Sequence, residues 1–300
     1  MHSEFVSLHT GRRRFTRTVG RVRTIALLTL VLGAVLFRPA PAAAASRSTS
    51  DTLTVVTLNL WHDQHDWPKR LAVILAELRR LRPDVVCLQE VLQHATLRNQ
   101  AETLGDSLGF HVQFASVDGP ERTKRYGNAI LTPHRVLVGE QRNLAPTDDY
   151  RAVAHVRFAW RGREVDAYAT HLHHTKEGGA IRATQIRHLT AYVDSTRGKG
   201  PVVIGGDFNC ELGTPEMDLM TARWRDVFRA VHPNATREEA ATYNPLFEPN
   251  VGVIDHVFVE ASPKRKVTPV ACDVIFRTPA ADSVWASDHY GVVAKVAIAK

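Results

Sequence analysis

The chain has 300 residues, 44% of them hydrophobic, with a formal net charge of +7. That is enough for one large domain with a sizeable core, or for two small ones. The charge is misplaced for a nucleic-acid-wrapping body: residues 1–45 hold seven arginines (12, 13, 14, 17, 21, 23 and 38) and one acid, Glu4, which leaves 31 basic against 30 acidic residues in 46–300. The body is nearly neutral, so bulk electrostatics gives no argument for DNA binding.

In the leader, a basic stretch ending at Arg23 precedes an apolar run from Ile25 to Phe37, then Arg38-Pro39 and a small-residue stretch ending Ala43-Ala44-Ala45. Thirteen apolar residues fall short of the ~20 that span a bilayer. The order of basic, apolar and Ala-x-Ala parts predicts a secretory signal peptide over 1–45, with the remaining domain over 46–300 and an extracytoplasmic location. Arg12-Arg13-Arg14-Phe15 resembles a twin-arginine export signal, so the general secretory and twin-arginine routes both stay open.

Leu53–Leu60 reads as a strand by β-branched content. A helix follows from about Pro68, tolerated in a first turn; Leu71, Ile74, Leu75 and Leu78 keep an i, i+3, i+4, i+7 rhythm, while Lys69, Arg70, Glu77, Arg79 and Arg80 fall largely elsewhere on the wheel. Pro83 stops it, and Val85–Leu88 is a second strand running into Gln89-Glu90, completing a β-α-β unit. Further strands are predicted at 111–115, 128–132, 152–159, 164–170, 201–205, 253–259, 268–276 and 291–298. A second helix covers Ile181–Tyr192, with Ile181, Gln185, Leu189 and Tyr192 on one side. No internal repeat or composition break follows residue 50. The pattern predicts one α/β (α+β) domain, a four-layer sandwich of two packed β-sheets with helices outside.

Two strings carry most of the chemistry: Gly205-Gly206-Asp207-Phe208-Asn209 after Val202-Val203-Ile204, and Ser287-Asp288-His289-Tyr290-Gly291 before Val292-Val293. Each puts ionisable side chains where a buried strand meets a loop. Carboxylates and amides are oxygen ligands for a hard cation, and histidine is a base that titrates near neutrality; together they suit metal-assisted phosphoester hydrolysis. Cys87, Cys210 and Cys272 form no CxxC or zinc-like spacing. Cys87 and Cys272 lie in strand-like runs, where a buried free thiol is the usual state; a Cys87–Cys210 bridge stays open.

The full series is Thr57-Leu58-Asn59-Leu60-Trp61, Cys87-Leu88-Gln89-Glu90-Val91, Tyr126-Gly127-Asn128-Ala129-Ile130-Leu131, Thr170-His171-Leu172, Gly206-Asp207-Phe208-Asn209, Ile254-Asp255-His256-Val257-Phe258 and Ser287-Asp288-His289. In that order and at strand ends, it resembles the endonuclease/exonuclease/phosphatase superfamily, which includes pancreatic-type deoxyribonuclease, apurinic endonucleases, neutral sphingomyelinases and inositol polyphosphate 5-phosphatases. The resemblance spans about 53 to 297. It implies Mg²⁺ or Mn²⁺ held by Glu90, with Asn59 beside it and Asp288 as a further ligand. It implies that His289 is the base, oriented by Asp255; that Asp207 and Asn209 position water and phosphate; and that His171 donates to a non-bridging phosphate oxygen. Asn128 falls where support for that histidine is expected, and Tyr126 is counted with the substrate or support residues. Arg182 and Gln185 match a recurring Arg-x-x-Gln, in which Arg182 braces the loop holding His171 or is simply an exposed helix charge. His173 shares a strand face with His171, but nothing accompanies it at zinc-like spacing.

A secreted, metal-dependent phosphodiesterase is therefore expected, acting on nucleic acid or on a phospholipid head group, as a monomer with no obligatory protein partner and with membrane contact only at the substrate. Arg122, Lys124 and Arg125 form a basic rim before Tyr126. A phosphomonoesterase of the inositol-phosphatase type is the alternative. A catalytically silent binding module would have lost Glu90 or His289, and this chain keeps both.

Overall fold

The computed structural model describes residues 51–247, 249, 252–261 and 267–299; the expected signal peptide over 1–45 lies outside them. Twelve strands form two six-stranded sheets. The first has the order β11 (Val267–Ile275), β12 (Gly291–Ile298), β1 (Asp51–Asn59), β2 (Val85–Gln93), β4 (Arg125–Thr132), β3 (His111–Ser116). The second has the order β5 (Val136–Asn143), β6 (Ala152–Trp160), β7 (Arg163–His171), β8 (Val202–Asp207), β10 (Asp255–Glu260), β9 (Trp224–Asp226). Among the described residues, only β1–β2 and β7–β8 run parallel. Each parallel pair is joined by a crossover helix, α1 (Trp67–Leu81) or α3 (Gly179–Thr196), as a parallel connection requires.

The strands read as continuous apolar runs because both faces are covered. Val55, Cys87, Ala167, Val203, Val257 and Ala294 point between the sheets. Their neighbours Val56, Val86 and Leu88 turn outward onto Ile74 and Leu78 of α1 and Leu104 of α2 (Gln100–Leu108). On the other sheet, Tyr168, Val202, Ile204 and Phe258 meet Ile186, Leu189 and Val193 of α3 and Met217 and Met220 of α4 (Pro215–Thr221). The two-residue period of the strands thus sorts one apolar run into a central core and two outer layers. Each fully buried aliphatic side chain contributes roughly 1.5–3 kcal/mol.

Three sequence expectations change. Arg70, set off the apolar face of α1, is 2% exposed; its role belongs to the site. The buried stripe of α3 runs through Arg182, Gln185, Ile186, Leu189, Tyr192 and Val193, so Arg182 is not an exposed helix charge. Cys87 lies between the sheets and Cys210 in the outer layer. The second sheet separates them, and all three cysteines are free and buried.

α2 and β5 went unread. α2 interrupts its apolar spacing with Gly105 and is fixed by its ends, where Asn99 Oδ1 accepts from the N–H groups of Ala101 and Glu102 and Gly109 closes the helix at φ +71°. β5 is an edge strand whose second half is wholly exposed, so it carries no apolar alternation to read.

Candidate active site

The sheet pairing gathers the catalytic candidates at one end of the sandwich. β1 and β2 run parallel, and β1 finishes at Asn59 paired with Gln89 of β2, which places Glu90 next along; β12 runs antiparallel to β1, so Asp288 and His289, just before it, arrive at that same end. In the second sheet β7 and β8 finish together, with His171 directly beside Asp207. β10 runs the other way, and its first residue, Asp255, pairs with Asp207 on the opposite flank. A cleft of about 600 Å³ opens there, lined by Glu90, Tyr126, His171, Asp207, Asn209, Asp288 and His289, with His62, Lys124, Arg151, His174 and Tyr243 among the other walls.

Asp207 is the hub. Its Oδ2 accepts from Asn59 Nδ2 at 3.1 Å and lies 3.4 Å from His171 Nε2 and 3.9 Å from His289 Nε2. Its Oδ1 accepts from the Asn209 N–H at 2.9 Å. Burial, and then the charge of Asp255 across the strand pair, push the Asp207 carboxyl well above the usual carboxylate range, since like charges set opposite each other are unfavourable. His289 Nδ1–H donates to Asp255 Oδ2 at 2.9 Å. Burial disfavours the charged ring, but Asp255, Asp207 and Asp288 outweigh it and raise the His289 pKa to about 10.

His171 shows the reverse balance. Burial, and then the nearby Arg151 charge, hold its pKa well below 6.5, so the ring is neutral. Tyr126 retains its proton, its pKa raised chiefly by burial. The Tyr126 hydroxyl therefore donates to His171 Nδ1 at 3.3 Å, leaving the imidazole hydrogen on Nε2, facing Asp207 and the cleft. Asn128, expected to support this ring, instead donates to the Ala152 carbonyl of β6 at 2.7 Å; the hydrogen bond to His171 comes from Tyr126. Arg182 acts one layer further out. It pairs with Glu216 Oε1 at 2.9 Å and donates to the carbonyls of His173, Thr175 and, at 3.3 Å, Lys176, in the loop leaving His171. Asn209 Nδ2 reaches the Leu172 carbonyl at 3.0 Å. His173 lies beyond the end of β7, with both ring nitrogens engaged by Asp149 and Thr175.

Glu90 reaches the cleft through an irregularity. The β2–β4 register shifts between Leu88 and Val91, and Glu90 takes φ +55°. Such a bulge re-aims a side chain beside an active site. Although burial raises its pKa, the His62 ring, with Nε2 2.9 Å away, and the charged His289 hold Glu90 at about 2. Burial, and then Glu90, raise Asp288. Asn59 Oδ1 accepts from the Trp61 N–H at 2.9 Å, and Ser287 Oγ donates to the Asn59 carbonyl at 2.7 Å, tying the Asp288 segment to β1.

The donor set fits a hard divalent cation. Four cleft or sub-cleft carboxylates, Glu90, Asp207, Asp255 and Asp288, converge; Asp207 and Asp288 are pushed upward by burial and then by Asp255 and Glu90 respectively, and Asp255 Oδ1 is buried without a hydrogen-bond partner. The tightest group, Asp207, Asp255 and His289, has ligand atoms within 4.8 Å of one another. The Asp255–His289 hydrogen bond already uses a proton there, so this trio suits proton transfer better than a cage. Glu90 and Asp288, which line the cleft, with the Asn59 amide at the end of β1, are the oxygen ligands that could hold such a cation.

Sequence reasoning missed Arg70, His62, Arg151 and Tyr243. All five Arg70 N–H groups are used on the carbonyls of Leu60, Trp61, His62, Gln64 and Ala286. They lock the loop after β1 against the segment leading to Asp288. The Tyr243 ring packs 4.7 Å from His289, in a segment bound to the Asp288 carbonyl through the Asn244 N–H. None sits in a strand-end motif, and only helical burial of a charge could have flagged Arg70.

Residues 56–289 match the sequence pattern of the Endonuclease/Exonuclease/phosphatase family. No curated protein matches the chain. Among solved structures, that of D. rerio TDP2 complexed with single strand DNA product superposes with a TM-score of 0.68 at 18% identity, covering 82% of this chain and 99% of that one. A humanized D. rerio TDP2 gives 0.69 at 19% identity, covering 82% and 98%. An endonuclease/exonuclease/phosphatase from Bacteroides vulgatus gives 0.68 at 19% identity, covering 83% and 99%. At these identities the likeness is one of fold.

Proposed function

The chain belongs to the Endonuclease/Exonuclease/phosphatase family of metal-dependent phosphoester hydrolases, and from that premise we propose that it is an Mg²⁺- or Mn²⁺-dependent phosphodiesterase that cleaves nucleic acid. The observation that carries the reading is the buried line Asp255–His289–Asp207–His171, with Glu90 and Asp288 in the same cleft. The D. rerio TDP2 structure with a single strand DNA product supports nucleic acid as the substrate.

Glu90, Asp288 and the Asn59 oxygen would hold the cation. When bound, it would supply positive charge to the phosphoryl oxygens and offset the Asp288 charge that helps to raise the His289 pKa. His289 Nε2 takes a proton from the attacking water, and Asp255 steadies the imidazolium formed. His171 Nε2–H turns to a non-bridging phosphate oxygen as charge builds. Asp207 keeps both rings aimed at one point, and Asn59 and Asn209 fix its two oxygens.

A second reading, a phospholipid head group, is favoured by the aromatic cluster beside the cleft: Trp61 lies 4.7 Å from Phe247 and 4.5 Å from His65. Hydrolysis of bis-p-nitrophenyl phosphate with Mg²⁺, abolished by EDTA, tests the activity. A parallel series with plasmid DNA, RNA, sphingomyelin and inositol phosphates tests the substrate; turnover of sphingomyelin alone would replace nucleic acid. We also propose export, with cleavage after Ala43-Ala44-Ala45. An extracytoplasmic chain starting near Ser46 is expected, and a cytosolic chain beginning at Met1 or His2 would contradict it.

A further inference from the structure

We propose that Arg151, Lys124 and His174 form an anion subsite beside the reacting phosphate, which takes a second phosphate and so selects a polynucleotide strand over a substrate with a single phosphodiester. The proposal rests on the phosphodiesterase reading and adds a specificity site to it.

The three side chains line the same cleft as the catalytic residues, and its lining is divided by chemistry. Asp63, Glu90, Asp207 and Asp288 supply the acids. Lys124 comes from the approach to β4, Arg151 from the approach to β6 and His174 from the exit of β7. Of the basic rim Arg122, Lys124 and Arg125, only Lys124 lines the cleft; Arg125 folds back onto the Phe114 ring and the Asp118 carbonyl.

Arg151 is the decisive member. It is 8% exposed, yet its Nε has no hydrogen-bond partner. The nearest carboxylate oxygen, Asp149 Oδ2, is 3.7 Å away, beyond a hydrogen bond. Asp149 is also already engaged, Oδ1 with His173 Nδ1 and Oδ2 with Gln185 Nε2, each at 2.6 Å. A buried guanidinium with an unused donor, its carboxylate partner beyond hydrogen-bond reach, is costly unless a ligand completes it, and its planar fork matches phosphate. Arg151 Nη2 lies 3.3 Å from His174 Nδ1. Arginine can only donate, so His174 accepts there and carries its hydrogen on Nε2, a further donor. Lys124 is exposed, suited to meet a flexible strand as a point charge.

The test compares thymidine dinucleotides with no terminal phosphate and with one at the 5′ or 3′ end. Titration calorimetry reads affinity and steady-state turnover reads kcat/KM, with bis-p-nitrophenyl phosphate as the single-phosphate reference. In the wild type, one terminally phosphorylated dinucleotide is expected to bind roughly tenfold or more tightly than the plain one, as a charge-assisted contact allows. That ratio should fall toward one in Arg151→Lys, which keeps a buried cation but loses the fork, and fall partway in Lys124→Ala, an exposed position where folding is not at risk. A wild type indifferent to terminal phosphate overturns the subsite. So does a loss in Arg151→Lys that is equal for all substrates, which would put Arg151 on the scissile phosphate. No turnover of any diester by the wild type would sink the phosphodiesterase reading instead, and the calorimetric ratio would still decide the subsite.

Discussion

His289 Nδ1 and Asp255 Oδ2 are 2.9 Å apart and both side chains are buried, although the residues are separated by 34 positions. The pair joins the two sheets, since Asp255 opens β10 and His289 precedes β12. Asp255→Asn should lower the His289 pKa, because the carboxylate that favours the imidazolium is gone. The acidic limb of the rate–pH profile should move to lower pH, with a loss smaller than the 10²–10⁴-fold, on the order expected for a general base, in His289→Ala. The stability linkage has the same sign. The raised pKa means the charged pair stabilises the fold fully below about pH 6.5, and that stabilisation is lost as pH rises through about 10. A profile overlaying wild type in Asp255→Asn would rule out the dyad.

Glu90→Gln should leave the fold intact and weaken Mn²⁺ binding by roughly tenfold or more, since the main anionic ligand for a strongly hydrated cation is removed. The rise in melting temperature on adding metal should shrink accordingly. In the wild type without metal, Glu90 has a depressed pKa, so its contribution is present above about pH 4.5 and is lost as pH falls through about 2. Calorimetry with Mn²⁺ showing unchanged affinity would move the cation elsewhere.

Arg70→Met should destabilise by about 3 kcal/mol, because carbonyls that now accept from a charged donor lose it. Leu60, Trp61, His62, Gln64 and Ala286 all lose their contact. Activity should fall with stability, as Trp61 and His62 sit at φ +54° and +47° under that guanidinium. Arg70→Lys should be intermediate. Equal melting temperatures for wild type and Arg70→Met would show that the loop holds itself.

At Gly205 the two sheets lie close together: a Cβ there would lie 2.9 Å from Cys87 Sγ. Gly205→Ala should cost about 1–3 kcal/mol by overpacking. Cys87→Ala added to it should recover part of that loss, a coupling that a double-mutant cycle measures. Strict additivity would mean the strain is relieved away from Cys87.

Much of the fold was legible because apolar strands and amphipathic helices announce themselves by period. Val85–Leu88 and 291–298 fall within strands, and Leu53–Leu60 and 201–205 overrun theirs by one residue. β5 escaped because an exposed edge strand has no buried face to leave a trace. The predicted face of α3 began at Ile181, but the buried stripe passes through Arg182. Wheel positions are assigned by polarity, and a buried arginine satisfied by Glu216 and three carbonyls breaks that rule.

The residue types at strand ends, Asn59, Glu90, His171, Asp207, Asp255 and His289, were determined by sequence alone, because each follows or opens a run whose burial is dictated locally. Which of them touch was decided only by the tertiary structure. Parallel pairing of β7 with β8 and antiparallel pairing of β8 with β10 set His171 and Asp255 on either side of Asp207. The burial and like charge that shift these groups arise only from that pairing. Asn128 shows the difference most plainly: its position in the series suggested support for His171, but its amide bonds Ala152, while Tyr126 reaches the ring. Side-chain hydrogen bonds depend on direction across a pleated sheet, and a sequence records the order of residues, not the directions in which sheets from distant segments present them.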